Sequence, residues 1–512
     1  MKILGIEFGS TRIKAVLADE KGKVLASGSF GWENRLLPGN VWSYRLEDAV
    51  KGMQAAFAAL KTSYRKATGC RLDALDAFGI SGMMHGYLPL DAQGRPLAEF
   101  RTWRCTLTAE ASGKLTKAFD FTIPQRWSVA HLYQRILDGG KEVGKIAFLT
   151  TLAGWVHFRL TGEKVAGLGE ASGMFPVDPA AKNYDAKMLR TFDRLAARKV
   201  RLPWKLAEIL PKALPAGVAA GVLTAAGAKL LDPSGELAPG AVAAPPEGDL
   251  QTGMAATNTV RPGTANISAG TSAFAVVALE KPLAKRHPEI DVCVSPTGAP
   301  VAMSHANTCT SDINAWVSIL GGDYDALFVE SLRGAPDCGG VVAVPFVGGE
   351  PIVHMDEGRP LVTRAPGADF TRANLMRANL YSAFATVRIG LDILFAEGLR
   401  LKGITGHGGI FKTKGVAQQY LADALNAPAT CLETAGEGGA WGMALLAAYA
   451  AAANAKGRGP GSLEDYLAKV VFKGAKGVTL KPTKAGVKGY AKYLANFKKA
   501  LAAVAALVGQ QG

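Results

Sequence analysis

The chain has 512 residues, a formal net charge of +15, and 48% hydrophobic, 20% charged and 8% aromatic residues. That length exceeds one ordinary core and predicts two domains of roughly 250 residues each. The composition excludes a disordered chain and a disulfide-stapled miniprotein.

The first segment reads as a meander: strand KILGIEF, the turn Gly9-Ser10-Thr11, strand IKAVLA, a turn at Asp19 to Gly22, and strand KVLASGSF. Glu7 interrupts the opening apolar run, which is too short for a secretory signal, so a cytoplasmic protein is expected. Six widely spaced cysteines with no CxxC pair agree with a reducing compartment. Helical patterns follow over Leu46 to Thr62 and Ile146 to Leu160, with a strand at Ala77 to Ser81. The stretch Leu231 to Asp249 is rich in Pro, Gly and Ala and predicts a junction, giving domains 1–249 and 250–512.

A second meander then repeats the first: TANISA, the turn Gly270-Thr271-Ser272, and AFAVVALE. Two copies of one supersecondary plan, half a chain apart, predict an internal duplication and α/β layers in which helices cover both sheets. A helix over Leu375 to Glu397, strand KGIT, the turn Gly406-His407-Gly408-Gly409 and a helix over Val416 to Leu425 follow. The uncharged run Gly438 to Ala455 is mostly Ala and Gly and predicts a buried helix rather than a membrane span. After Asp465 there are nine lysines and no acid, which leaves +6 over the preceding residues. Those lysines alternate with Tyr490, Tyr493, Leu494 and Phe497, the pattern of a docked helix with a solvated face, so neither a nucleic acid nor a membrane is expected as partner.

Several residues have types and places suited to phosphate and hydroxyl chemistry. Each Gly-hydroxyl turn offers backbone N–H groups able to hold phosphate oxygens, and ordinary turn chemistry also explains either one alone. Glu7, at the end of an apolar strand, is placed to hold a magnesium ion through water, or simply caps that strand. Gly408 and Gly409 stand where bare backbone and a helix dipole accept a nucleotide. Glu437-Gly438-Gly439-Ala440-Trp441-Gly442 opens a small-residue helix that lets a flat ring or a neighbouring helix come close. Asp249, in PPEGDLQTG, is a candidate proton acceptor or a turn cap; His85, in ISGMMHG, is a polar ligand contact or a core histidine. Trp103 presents a flat face of the kind sugars stack on, flanked by Arg101 and Arg104.

In this order the motifs resemble the FGGY family of carbohydrate kinases over nearly the whole chain. Glu7-x-Gly9-Ser10-Thr11-x-x-Lys14 is similar to the family's first phosphate motif, and Ile80 to Gly86 to its sugar-side ISGQMHG segment, familiar from xylulokinases. DAQGRPL, Trp103, RLTGE, EASGMFPVD, Gly248-Asp249, Ala269 to Ser272, PFVGGEPI, the GGxF-type adenosine segment at Gly408, Gly409 and Phe411, and the segment from Glu437 to Gly442 continue the series. The resemblance implies two ribonuclease-H-like domains of the actin-like ATPase fold with an interdomain cleft. It implies an N-terminal sugar and phosphate domain, a C-terminal nucleotide domain, and ATP with Mg²⁺. Asp249 would be the general base and, with Glu7, a metal ligand. Met84, His85, Trp103, Arg104 and Asp249 would meet the sugar. Gly9, Ser10, Thr11, Lys14, Gly270, Thr271, Gly408, Gly409, Phe411 and Glu437 would bind ATP. A homodimer is the protein partner considered.

The chain departs from the family pattern in three places: Glu7 stands where Asp is usual, Met83 where Gln is usual, and Arg104-Cys105 where Asn-Asp commonly follows the Trp. The expected activity is ATP-dependent phosphorylation of a small ketose, a pentulose such as xylulose or ribulose. Arg101 and Arg104 make a sugar acid the alternative acceptor. Arg104 is expected to point outward and pair with an acid such as Glu110, because burying a lone cation is costly. A nucleotide-binding regulator of actin or chaperone type is the alternative from outside the kinases.

Overall fold

The computed structural model describes residues 1–436, 438–455 and 459–509. They form two compact units, and these are not two successive halves. The first comprises Met1–Val260, Cys293–Pro300 and Glu437–Gly474; the second comprises Arg261–Val292, Val301–Gly436 and Ala475–Gly512. The expected division at 249/250 is therefore corrected. The Pro- and Gly-rich stretch before Asp249 is not a linker, because its apolar residues Ala241, Ala243 and Ala244 are buried. Its two short strands, Val242–Ala243 and Glu247–Gly248, pair in parallel with Ala77–Gly82.

In the first unit, consecutive strands of the main sheet are Val242–Ala243, Ala77–Gly82, Ile3–Phe8, Arg12–Ala18 and Val24–Gly31. Ile3–Phe8 is antiparallel to Arg12–Ala18, with Phe8 opposite Ile13, and parallel to Ala77–Gly82. Side chains alternate along a strand, so Leu4, Ile6 and Phe8 face one way and Gly5 and Glu7 the other. Leu4, Ile6 and Phe8 join a core with Ala56, Phe57 and Leu60 of the helix Leu46–Thr68. The Gly5 face is covered by the helix Gly438–Asn454, so close that a Cβ on Gly5 would lie 2.0 Å from the Ala440 carbonyl oxygen. This contact accounts for the return of the segment after 436 to the first unit: an all-apolar helix needs a bare strand to pack on. The expected helix over 146–160 is shorter than its pattern. Phe148–Thr150 pairs as a strand with Leu88–Leu90, and the helix Leu152–Thr161 begins where Thr151 accepts a hydrogen bond from Gly154 N–H.

The second unit repeats the plan. Consecutive strands are Pro300–Ala306, Ala273–Ala278, Thr264–Ala269, Gly403–His407, Ala429–Leu432 and Gly477–Leu480. Thr264–Ala269 is antiparallel to Ala273–Ala278, with Ala269 opposite Ala273, and parallel to Gly403–His407. The hairpin around Gly270-Thr271 thus matches the hairpin around Gly9–Thr11. The helix Lys484–Leu507 docks through Tyr490, Tyr493, Leu494 and Phe497, all buried. Its lysines lie on the solvent side, where Lys492 meets Asp337 at 2.6 Å and Lys498 meets Asp392 at 3.1 Å. Among the described residues no helix is long and apolar enough to cross a membrane.

Candidate active site

In the first unit three parallel strands end side by side, and their register places Glu7 opposite Ser81 and Ser81 opposite Glu247. Open α/β sheets bind ligands beyond the carboxyl ends of their strands. Beyond these ends stand the turn Gly9–Thr11, the segment Met83–Tyr87, and Asp249, the first residue of the helix Asp249–Ala256. The helix is tied to the sheet by the Ser81 and Thr252 hydroxyls, 3.1 Å apart.

Glu7 accepts a hydrogen bond from Ala440 N–H at 3.2 Å. A Cβ on Gly439 would lie 2.3 Å from its Oε1, so the small-residue stretch makes room for this carboxylate. Burial, and then the charge of Asp249, raise Glu7 to about 7. Asp249 is exposed, yet the protein crowded around its carboxyl raises it to about 6, even though Leu250 N–H donates to its Oδ1 at 3.0 Å. Behind it lie two acids that the motif reading missed. Glu247 accepts from the N–H groups of Gly169 and Glu170 at 3.3 and 2.8 Å, and burial lifts it to about 8. Glu170 is fully buried and raised well above its ordinary value by that burial. A Cβ on Gly248 would lie 2.9 Å from Glu170 Oε2. The one legible sign was the spacing of Glu247 and Asp249, two apart in PPEGD.

The acceptor-side residues come together in the same unit. Met84 is buried, and a Cβ on Gly248 would lie 2.2 Å from its Cγ, which sets Met84 beside the Asp249 turn. Met83 is buried and joins the hydrophobic core, so an apolar side chain packs where Gln is usual. His85 takes a positive φ of 71°, with Nδ1 3.0 Å from the Gly173 carbonyl and its ring stacked on Trp127. Tyr87 and Arg101 exchange backbone hydrogen bonds of 2.9 and 3.1 Å, which brings the turn Thr102 to Cys105 alongside. Trp103 stands at its tip, 41% exposed.

Arg104 does not pair with Glu110, whose partner is Lys114. Its guanidinium lies 4.2 Å from the Trp42 ring centroid and 5.8 Å from that of Trp103. Arg104 is exposed, as expected, and only the pairing failed, because stacking on an indole offers a cation an attractive partner without burial. Arg101 turns back over Tyr87 at 5.7 Å and is partly buried, which leaves Arg104 as the exposed member of the two.

The phosphate candidates divide between the units. In the first, Gly9 N–H donates to Arg12 O and Trp32 N–H to Thr11 O, while Lys14 stands directly opposite Glu7 across the hairpin. In the second, Cys309 N–H donates to Thr271 O at 2.8 Å and the Thr310 hydroxyl to Gly270 O at 2.7 Å. Gly408, with φ 114°, lies against the same strand end, where a Cβ would come 2.2 Å from Ala269 O. Gly408, Gly409, Gly270 and Thr271 are thereby grouped. Phe411 is half-buried and stacked on Phe384 with centroids 6.1 Å apart. Glu437 lies outside the described residues.

Residues 2–130 match the N-terminal domain of the FGGY family of carbohydrate kinases, and residues 265–451 match its C-terminal domain. The chain belongs to the FGGY family of carbohydrate kinases. It is similar to the xylulose kinase of Haemophilus influenzae, 26% identical over 465 residues that cover 87% of this chain and 90% of the relative. It is also similar to the glycerol kinase of Gloeobacter violaceus, 26% identical over 483 residues that cover 86% and 88%. The crystal structure of the xylulose kinase from Rhodospirillum rubrum superimposes with a TM-score of 0.80 at 19% identity over 100% of both chains, a likeness of fold. This FGGY protein is thus a carbohydrate kinase with the two-domain actin-like ATPase fold, which sets aside the reading as a pure nucleotide switch.

Proposed function

We propose that this FGGY kinase transfers the γ-phosphoryl group of ATP to a hydroxyl of a small ketose of pentulose size, with Asp249 as the general base. The observation that carries this reading is the exposed Asp249 carboxylate at the head of a helix, between Met84 and Glu7, where a hydroxyl can reach it. The hydroxyl oxygen forms the new bond to phosphorus, the bond from phosphorus to the β–γ bridging oxygen breaks, and ADP leaves with that electron pair. The hydroxyl proton passes to Asp249 Oδ. Phosphoryl transfer is driven mainly by positioning and charge stabilisation, so one correctly placed carboxylate suffices as base. Pentulose is favoured by the xylulose kinase relatives together with an exposed Trp103 face on the acceptor side.

In this reading the turn Gly9–Thr11 and Lys14 meet the transferring phosphate, and Gly270, Thr271, Gly408 and Gly409 of the second unit hold the nucleotide. Glu7 and Asp249 fit a magnesium ion, being oxygen donors whose charges act on each other. Magnesium, when bound, supplies neutralisation of the phosphate charge. The buried pair Glu247 and Glu170, both raised by that burial, backs the Asp249 turn. The test is MgATP-dependent ADP release with a panel of carbohydrates, in which a pentulose gives the highest rate.

One observation favours a second acceptor class. Arg104 is exposed with its guanidinium 4.2 Å from the Trp42 ring centroid, at the acceptor side, and a planar donor fork suits a carboxylate. If the natural acceptor is a sugar acid, Arg104→Gln raises its KM by about 10- to 150-fold, the range of a charge-assisted hydrogen bond. The KM for a neutral pentulose then stays within about twofold, since that acceptor loses no ionic partner. Equal, small changes for both acceptors would leave the neutral ketose alone.

A further inference from the structure

We infer that Trp32 and Tyr44 are positioning residues for the donor's phosphates, holding the turn Gly9–Thr11 from behind so that its amide N–H groups face the ligand. The inference rests on the reading above that this turn receives phosphate. In a trans peptide the C=O and the following N–H point in opposite directions, and no cis peptide occurs among the described residues. Trp32 Nε1–H donates to Gly9 O at 2.7 Å, and the Tyr44 hydroxyl donates to Ser10 O at 2.6 Å. These two carbonyls share their peptide planes with the N–H groups of Ser10 and Thr11. Drawing the carbonyls toward the aromatic pair therefore turns both N–H groups away from it. Successive amides turned outward in this way make an anion-binding concavity.

The support is rigid. The two rings stack with centroids 4.2 Å apart and 27° between planes, and Phe8 meets Trp32 edge-on at 6.1 Å. Trp32 is 7% and Tyr44 2% exposed, so neither is a surface residue that happens to lie nearby. The second unit reaches the same arrangement by other means: its turn carbonyls, Gly270 O and Thr271 O, are held by Thr310 and by the Cys309 amide. Matching hairpins tethered from behind in both units argue that the tether belongs to their common task. The first unit uses aromatic donors, whereas the second combines the Thr310 and Ser311 hydroxyls with backbone amides.

The segment from Trp42 to Tyr44 also moors the acceptor side. Trp42 O accepts from Thr102 N–H at 3.0 Å and from Cys105 Sγ at 3.3 Å, while Tyr44, two residues on, holds the phosphate turn. Loss of the Tyr44 hydroxyl removes one mooring and leaves the other.

Tyr44→Phe keeps the ring and its stack and removes the hydroxyl, with its bonds to Ser10 O and to the Asn34 side chain; Trp32→Phe keeps an aromatic ring and removes the N–H donor. Each variant is to be compared with wild type by MgADP titration calorimetry, by KM for ATP and for the acceptor, and by melting temperature. The expected result is an MgADP Kd and an ATP KM raised about 2- to 12-fold per lost hydrogen bond, with the acceptor KM unchanged. A lowered melting temperature with unchanged MgADP affinity overturns the inference and leaves the pair as core packing. An acceptor KM raised as much as the ATP KM overturns it as well. A wild-type chain that fails to bind MgADP refutes the phosphate reading itself, which is a different outcome from wild-type binding that Tyr44→Phe does not alter.

Discussion

Asp249→Asn is expected to lower carbohydrate phosphorylation by about 10²–10⁴-fold, the usual cost of losing a general base. Asn fills the same volume and its carbonyl can still accept from Leu250 N–H, as Asp249 Oδ1 does at 3.0 Å, so the helix start survives the change. What is lost is the ability to take a proton. The turns Gly9–Thr11 and Gly270-Thr271 keep their own hydrogen bonds, so affinity for ADP without magnesium is expected to stay near wild type. Steady-state ADP release with acceptor, set beside titration with metal-free ADP, separates the two effects. Turnover within a few-fold of wild type would remove Asp249 from the base role.

The second large effect is structural and lies directly under the site. Gly5→Ala places a Cβ 2.0 Å from Ala440 O and 2.5 Å from Ala444 N, both backbone atoms of the helix Gly438–Asn454. Neither atom can swing aside, so strand and helix must separate, at a cost of about 1–3 kcal/mol or more. Separation also pulls Ala440 N–H from Glu7, two residues along the same strand. Gly79→Ala is the control. Its Cβ would meet Met443 Cε at 2.3 Å, the free end of a flexible side chain that can move. Thermal melts should show a clear drop for Gly5→Ala and a smaller one for Gly79→Ala, with activity falling in the same order. Equal melting of both variants would contradict the packing described for this helix.

Local signals carried much of the fold. The Gly-hydroxyl turns, the apolar strands beside them and the amphipathic helix Lys484–Leu507 are read from neighbours a few residues apart, and the structure has all of them. The unit boundary was illegible because it depends on a contact between Gly5 and Ala440, which nothing local announces. The Pro- and Gly-rich stretch before Asp249 looked like a linker for a related reason. Its strands are too short for a periodic signal and are held by their partner Ala77–Gly82. At the site, residues within a motif could be named from the sequence and the residues packed behind them could not. Trp32, Trp42 and Tyr44 act through single hydrogen bonds or stacking across long separations. Glu170 is visible only once the chain has folded around it.

The most direct measurement is coupled ADP release by the wild-type chain with MgATP, run with and without pentuloses, hexuloses, polyols and sugar acids. The account predicts release that depends on the carbohydrate, is fastest with a pentulose, and matches one phosphorylated product per ADP. Release at the same rate with every compound as with none would contradict it.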